Sequence, residues 1–146
     1  MSDNIKEILV PVDGSDNALR AARFAVELAG AMDVGVRLFH VYPAASVEII
    51  GMAGLSRAQI DQAAQSAAQR AFDKVRSEID DDEVQWLDPE TSIGDPAEEI
   101  IRYTEDDPAV LVILGRRGLS RMQSLMLGSV SDKVIRHSRS PITVVT

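Results

Sequence analysis

The sequence predicts an α/β fold with a single five-stranded parallel sheet and four helices distributed over both of its faces. Strand-like and helix-like segments alternate along the 146 residues, which is typical of parallel strands joined by right-handed crossovers. The run from Ala109 to Leu114 is apolar throughout, as expected of a strand covered on both faces. Segments 83–87 and 142–145 have the patterns of edge strands, so the predicted strand order is 3-2-1-4-5.

The N-terminal part of the chain supplies two strands and a helix. Residues 5–12 and 34–41 have the apolar patterns of strands one and two. Between them, Ser15 or Asp16 can cap a helix whose apolar face is rich in alanine and which ends near Gly30.

A long second helix is predicted in the middle of the chain. Ser56 and Gln59 have the spacing of a capping box, and apolar residues then keep helical spacing as far as Ile79. The connection before it, residues 43–56, is long for an α/β fold and contains two glycines. We expect this connection to be a lid or partner surface, or else a segment folded back on the core.

The C-terminal half supplies the remaining elements. Residues 83–87 alternate polar and apolar, as a half-exposed third strand would. Residues 95–96 provide an N-cap and a first-turn proline for a third helix that ends before residue 106. Residues 129–138 can form the fourth helix, and 142–145 the fifth strand.

Composition excludes several classes of function. A hydrophobic fraction of 45% and a charged fraction of 26% predict one globular domain over residues 1–146. The absence of cysteine excludes disulfides, thiolate nucleophiles and sulfur-ligated metals, and it favours the cytoplasm. A net charge of −8 disfavours nucleic-acid binding. Without a signal-peptide pattern or a long apolar stretch, we expect neither secretion nor membrane insertion.

A basic segment follows the predicted fourth strand, at the edge of the sheet where ligands of such folds bind. No acidic residue occurs between Pro108 and Ser131, whereas Arg116, Arg117 and Arg121 give this segment a local positive charge. An otherwise acidic chain therefore offers an anion a favourable position here.

Glycines in the same segment are spaced to bind phosphate. Gly115 and Gly118 allow the backbone to turn so that consecutive N–H groups face one point, and Gly128-Ser129 precede a helix whose N-terminus favours an anion. On glycine count alone, ordinary tight turns explain the pattern equally well. The segment is neither a Walker loop nor the dinucleotide-binding fingerprint.

The spacing of these glycines is that of a known family. Gly115-x-x-Gly118, nine further residues and Gly128-Ser129 match the motif Gly-2x-Gly-9x-Gly-Ser/Thr, so the chain resembles the ATP-binding branch of the universal stress protein family. The resemblance extends to ILVPVDGS, HVYP, GDPAEEI and LGSVSDKVIRHSRSPITVV. It implies a Rossmann-like, adenine-nucleotide-binding fold, ATP, ADP or AMP as the ligand, and a homodimer formed through the C-terminal strand.

The resemblance also implies the residues of the site. Adenine and ribose are placed at Pro11, Asp13, Val41 and Leu114, with Val41 contacting the base through its main chain. The phosphates are placed at Gly115, Gly118, Gly128, Ser129 and Val130, with Arg116 and Arg117 within reach. Mg²⁺ or Mn²⁺ would bind mainly through the phosphates, so no metal-ligating set is expected in the protein.

Several of these residues have a simpler alternative. Asp13 could cap the first helix instead of contacting ribose or a metal-bound water, and the arginines could all be solvated. His40 and His137 are expected to be structural. We assign no catalytic residue.

Three functions are compatible with the sequence. The first is a cytoplasmic ATP-binding regulatory protein of the stress response, which changes its conformation or its protein partner with nucleotide state. The second is a slow ATP hydrolase, and the third is a dimeric scaffold without nucleotide. The intact motif argues against the third, and the absence of a P-loop lysine argues against rapid turnover.

Overall fold

The computed structural model describes residues 4–79, 82–116 and 127–146. These residues form a single parallel sheet with helices on both faces. Its elements, in chain order, are β1 (Glu7–Pro11), α1 (Asp16–Met32), β2 (Gly35–Pro43), α2 (Ala44–Met52), α3 (Arg57–Glu78), β3 (Glu90–Gly94), α4 (Pro96–Asp106), β4 (Val110–Gly115), α5 (Ser129–His137) and β5 (Ile142–Val145).

The strand order is β3-β2-β1-β4-β5, and every neighbouring pair is parallel, which confirms the predicted topology. Pro11, the last residue of β1, pairs with Phe39, whereas β2 continues to Pro43 against β3 alone. The end of β2 therefore extends past the end of β1.

Each face of the sheet has its own core. Helices α1 and α3 cover one face with small and aromatic side chains, among them Ala25 and Phe72, which pack on Ile8, Val10 and Leu38. Helices α4 and α5 cover the other face through Ala97, Ile100 and Val134, which pack on Leu9, Val112 and Leu114. The period of two along each strand sends alternate residues to the two cores.

The prediction of the third strand at 83–87 is wrong. In that segment only Trp86 pairs, as an isolated parallel bridge with Val36, and β3 begins at Glu90. The register against β2 shifts by one residue between the two pairings, which makes a bulge at the sheet edge. Nη1 of Arg37 donates to the Asp88 carbonyl at 2.6 Å and so satisfies the backbone there.

The described chain also contains a fifth helix where a connection of about 14 residues was expected. Helix α2 fills residues 44–52, has no buried residue and no side-chain cap, and ends before Gly54, which has a φ of 83°. Gly54 thus stops the helix, because only glycine adopts this left-handed conformation at little cost. No helix among the described residues is long and apolar enough to span a bilayer.

A buried charged cluster lies at the amino end of the sheet. Glu7 accepts a hydrogen bond from Nη2 of Arg37 at 3.0 Å and from the Tyr103 hydroxyl at 2.6 Å. Burial and the hydrogen bond to Glu7 raise the pKa of Tyr103 above its ordinary range. The hydrogen bond to Glu7 also raises the pKa of Arg37. This cluster is at the opposite end of the strands from the candidate site.

Candidate functional site

The turn after β1 is built by the three residues that the sequence singled out there. Gly14 has a φ of 86°, a conformation that requires glycine in practice. The Oδ1 atom of Asp13 accepts from the Ser15 N–H at 2.9 Å, and Oγ of Ser15 accepts from the Ala18 N–H at 3.1 Å. Ser15, not Asp16, is therefore the N-cap of α1. Asp13 stabilises the turn through the hydrogen bond that it accepts from Ser15.

Two side chains from other elements contact the backbone of this turn. The Nδ1 atom of His40 lies 2.8 Å from the Val12 carbonyl oxygen, and Nζ of Lys74 donates to the Gly14 carbonyl at 2.7 Å. Lys74 also binds Oδ1 of Asp16 at 3.0 Å, and this hydrogen bond lowers the pKa of Asp16. Sequence analysis missed both contacts and treated His40 as structural.

The end of β2 presents main-chain groups beside this turn. The Phe39 carbonyl accepts from the Val12 N–H at 2.8 Å, so the N–H and C=O of Phe39 point toward β1. Main-chain groups alternate sides along a strand in a parallel sheet, so those of Val41 point the same way. Because β1 ends at Pro11, opposite Phe39, the Val41 groups face the space beyond its end.

Two hydrogen bonds connect the end of β4 to the start of α5. The Gly128 N–H donates to the Arg116 carbonyl at 2.9 Å, and Oγ of Ser131 donates to the Gly115 carbonyl at 2.8 Å. The first helical hydrogen bond of α5 runs from the Asp132 N–H to the Gly128 carbonyl. The N–H groups of Ser129 and Val130 precede that bond, and Gly128 has no side chain to cap them. These donors and the helix dipole can hold an anion.

Gly115 has a packing role that its sequence position did not reveal. A Cβ at this residue would lie 2.8 Å from the carbonyl oxygen and 3.0 Å from the Cβ of Asn17, in the first turn of α1. The end of β4 therefore lies close against the turn that follows β1. Gly115 is not among the described glycines with a positive φ. Its close approach to Asn17, rather than a special backbone conformation, is what requires glycine at this position.

Apolar residues of the predicted site share one side of the sheet. Val41 and Leu114 are buried in the cluster beneath α4 and α5, and Val130 packs against the same cluster. Pro11 is half-buried at the end of β1. The structure thus brings together the apolar side chains, the Val41 main chain and the N-terminus of α5.

The arginines and the second glycine are placed only in part. The Arg116 N–H donates to the Val145 carbonyl at 2.9 Å, so a phosphate contact by Arg116 would fall to its side chain. Arg117, Gly118 and Arg121 lie outside the described residues. His137 is exposed at the end of α5.

Main-chain donors, apolar side chains and a helix N-terminus meet at the carboxyl end of the sheet. The described residues contain no group of three or more His, Asp or Glu side chains that could hold a metal. They do offer main-chain donors and acceptors for a planar base, apolar side chains beneath it, and a helix N-terminus for phosphate.

Comparisons with known proteins show which family the chain resembles. The model of the universal stress protein family matches residues 4–146. Universal stress protein MJ0531 of Methanocaldococcus jannaschii is 31% identical over 144 residues, which cover 96% of this chain and 81% of that protein.

Two solved structures have the same fold. Protein MJ0577 of M. jannaschii is 26% identical, with a TM-score of 0.76 and coverage of 97% of this chain and 95% of that one. A universal stress protein from Archaeoglobus fulgidus, solved in complex with dAMP, is 23% identical, with a TM-score of 0.64 and coverage of 97% and 98%. The chain therefore belongs to the universal stress protein family.

Proposed function

We propose that this chain binds ATP at the carboxyl ends of β1, β2 and β4 and acts as a regulatory protein of the stress response. The observation that supports it most is the convergence of the uncapped α5 N-terminus with the ends of these strands, fixed by the hydrogen bond between Gly128 and Arg116. A relative of the same fold binds dAMP, so the fold can hold an adenine nucleotide.

Each part of the nucleotide has a proposed position. The N–H and C=O of Val41 pair with the base, which rests on Leu114 and Pro11, and Asp13 meets the ribose. The N–H groups of Ser129 and Val130 receive the phosphates, together with Gly118, Gly128 and the side chain of Arg116 or Arg117. A divalent cation such as Mg²⁺ or Mn²⁺ binds through phosphate oxygens and water.

Regulation fits this set of residues better than rapid turnover. Backbone donors that hold the ground state and the transition state equally well lower no barrier. Hydrolysis also requires a group that orients water, and Asp13 is already hydrogen-bonded within its turn. Nucleotide state would then act through conformation or partner choice, in the cytoplasm that the cysteine-free sequence favours.

Calorimetry with ATP, ADP and AMP tests the site. Gly128 has φ −64° and ψ 160°, an extended conformation that valine adopts readily, so Gly128→Val should fold normally and lose ATP binding through the space its side chain occupies. Gly30→Val is the control, because a Cβ there meets nothing within 4 Å and the residue lies near the far end of α1. Unchanged affinity in a folded Gly128→Val would refute the assignment.

We also propose that the chain forms a homodimer through β5. The carbonyls of Pro141 and Val145 accept hydrogen bonds from Val112 and from Arg116, the residue after β4. By alternation, the main-chain groups of Ile142 and Val144 point to the open edge. An open apolar edge strand invites pairing, and a second copy related by a two-fold axis supplies the same edge.

Apolar side chains flank this edge on both faces of the sheet. Phe24 and Met32, 40% and 37% exposed, recur with Leu28 every four residues along one side of α1, a helix that contacts β5. On the other face Lys133 pairs with α4, so Ile135, 43% exposed two residues later, lies on the side away from α4. These side chains would be covered in the dimer.

Sedimentation tests the dimer with a matched pair of proline variants. Val144→Pro removes an N–H from the open edge and should give a folded monomer, whereas Thr143→Pro removes one from the β4 side and should impair folding. A wild-type monomer at micromolar concentration would refute the dimer.

A further inference from the structure

We propose that His40 and Lys74 are positioning residues, which hold the turn after β1 in the conformation that receives the nucleotide. Neither side chain lies on the ligand side of the sheet. His40 comes from β2 and faces α3, and Lys74 comes from α3 itself. The inference rests on the proposed nucleotide site and deepens it, because it states how Asp13 is kept in place.

His40 holds the first carbonyl of the turn. His40 is 8% exposed, and its ring packs perpendicular to that of Phe72 on α3, with ring centroids 6.5 Å apart. A carbonyl oxygen only accepts, so the Nδ1 atom at 2.8 Å from the Val12 oxygen carries the proton. The Val12 carbonyl belongs to the peptide group that leads into Asp13, and this hydrogen bond therefore fixes the direction in which Asp13 leaves the strand.

The other ring nitrogen of His40 argues against a purely structural role. Within the part of the chain that the structure describes, the buried Nε2 atom has no hydrogen-bond partner. An unpaired buried acceptor is a cost to folding that an apolar side chain of similar size would avoid. What a leucine could not supply at this position is the Nδ1–H donor to the turn.

Lys74 holds the same turn two residues further on. Its ammonium group donates to the Gly14 carbonyl at 2.7 Å and to Oδ1 of Asp16 at 3.0 Å. A Cβ at Gly14 would meet nothing within 4 Å, so packing does not restrain this residue, and glycine has the widest conformational freedom. The hydrogen bonds from His40 and Lys74 supply restraint from outside the turn.

Four variants separate positioning from packing. His40→Leu removes the donor and the unpaired acceptor together. His40→Asn keeps an N–H on Cγ, where Nδ1 stands. Lys74→Met keeps the aliphatic stem and removes the ammonium group. The control is Arg23→Met, which breaks another contact between α1 and α3, the Arg23–Glu78 pair at 3.5 Å, without touching the turn.

Two measurements are made on each variant. Amide hydrogen exchange of Ser15, whose N–H donates to Asp13, reports the turn without ligand, and calorimetry gives the affinity for ATP with Mg²⁺. His40→Leu should raise the exchange rate of the Ser15 amide about tenfold and lower the affinity for ATP about tenfold, the effect of one buried hydrogen bond. His40→Asn should stay within about twofold of the wild type. Lys74→Met should change the Ser15 exchange rate and the affinity for ATP by about two- to fivefold in the same directions, and Arg23→Met should change neither.

The two measurements distinguish failure of the proposed function from failure of this inference. If the wild type binds no ATP, the nucleotide site falls, and the Ser15 exchange rates alone then decide whether His40 and Lys74 hold the turn. If His40→Leu keeps wild-type exchange at Ser15, the inference is overturned. Equal losses in His40→Leu and His40→Asn would also overturn it, because they would make ring shape the cause, not the donated hydrogen bond.

Discussion

Replacing Gly115 by alanine tests whether β4 and the turn after β1 are as closely packed as the structure shows. The added Cβ would lie 2.8 Å from the backbone oxygen and 2.9 Å from the carbonyl carbon of Asn17. Real Cβ atoms do not approach this closely, and the atoms in the way belong to the backbone of α1. Either the end of β4 or the first turn of α1 must therefore move.

The expected loss of stability follows from two opposing terms. Forcing one methyl group into a packed site costs about 1–3 kcal/mol. Alanine also restricts the unfolded chain, which returns about 0.4–1 kcal/mol. At the middle of both ranges the net loss for Gly115→Ala is about 1.3 kcal/mol, or a fall in Tm of about 3–5 °C for a domain of this size. Because the displaced atoms border the proposed site, affinity for ATP should fall as well.

Urea denaturation of Gly115→Ala and Gly30→Ala measures these effects side by side. Gly30 lies in α1 with nothing within 4 Å of its Cβ, so alanine there should stabilise by about 0.5–1 kcal/mol through helix propensity. The same chemical change should therefore have opposite signs at the two positions. Equal stability of Gly115→Ala and the wild type would refute the close approach of β4 to α1.

Three further predictions concern pH, a helix end and turnover. The folded-state pKa of Tyr103 lies above its unfolded value of about 10, so its contribution to stability is present below about pH 10 and is lost as the pH rises above that value. Urea denaturation from about pH 9 to 11 should therefore show a smaller decline in the free energy of unfolding for Tyr103→Phe than for the wild type. Asp33, with φ 56° at the C-terminal end of α1, places a negative charge where the helix dipole disfavours it; Asp33→Asn keeps the left-handed conformation and should raise the free energy of unfolding by about 0.3–1 kcal/mol at low salt, and a salt-independent loss would contradict this. ATP hydrolysis with Mg²⁺ or Mn²⁺ should stay well below ~10 s⁻¹ by phosphate release; several turnovers per second that vanish in Asp13→Asn with ATP affinity intact would make the protein an ATPase.

The elements predicted well are those whose signals are local or strongly apolar. The capping box of Ser56 and Gln59 and the N-cap Asp95 act within one helical turn, and both are present in the structure. The uninterrupted apolar run of β4 is buried on both faces. The strand order followed from recognising central and edge strands, which depends on burial more than on detailed contacts.

The errors arise where a residue is buried without belonging to a strand, or belongs to a strand or helix without being buried. Trp86 packs against the core without belonging to a strand, so its segment has an apolar alternation that predicts a strand which is not there. The true edge strand β3 is ETSIG, which is mostly polar because one of its edges and much of its surface are exposed. Helix α2 buries no residue and therefore has no amphipathic pattern to detect.

The location of the candidate site follows from the sheet topology, but the contacts that support its turn could not be predicted. Ligands of parallel sheets bind at the carboxyl ends where the connections diverge, so topology alone indicates the turn at Asp13 and the end of β4. The side chains that hold this turn come from far along the chain. His40 lies 28 residues from Val12, and Lys74 lies 60 residues from Gly14. No periodicity or spacing in the sequence connects positions so far apart.

The position of this turn also indicates which helix would respond to a nucleotide bound at the proposed site. On one face of the sheet, α4 and α5 supply the apolar cluster and the helix N-terminus proposed for the ligand. On the other face, α3 contacts the same turn through Lys74 and packs Phe72 against His40. A ligand that shifts Asp13 must shift or strain these contacts, and by reciprocity a partner that moves α3 must change nucleotide affinity. Nucleotide-dependent hydrogen exchange should therefore extend into α3, which a site isolated on the ligand face would leave unchanged.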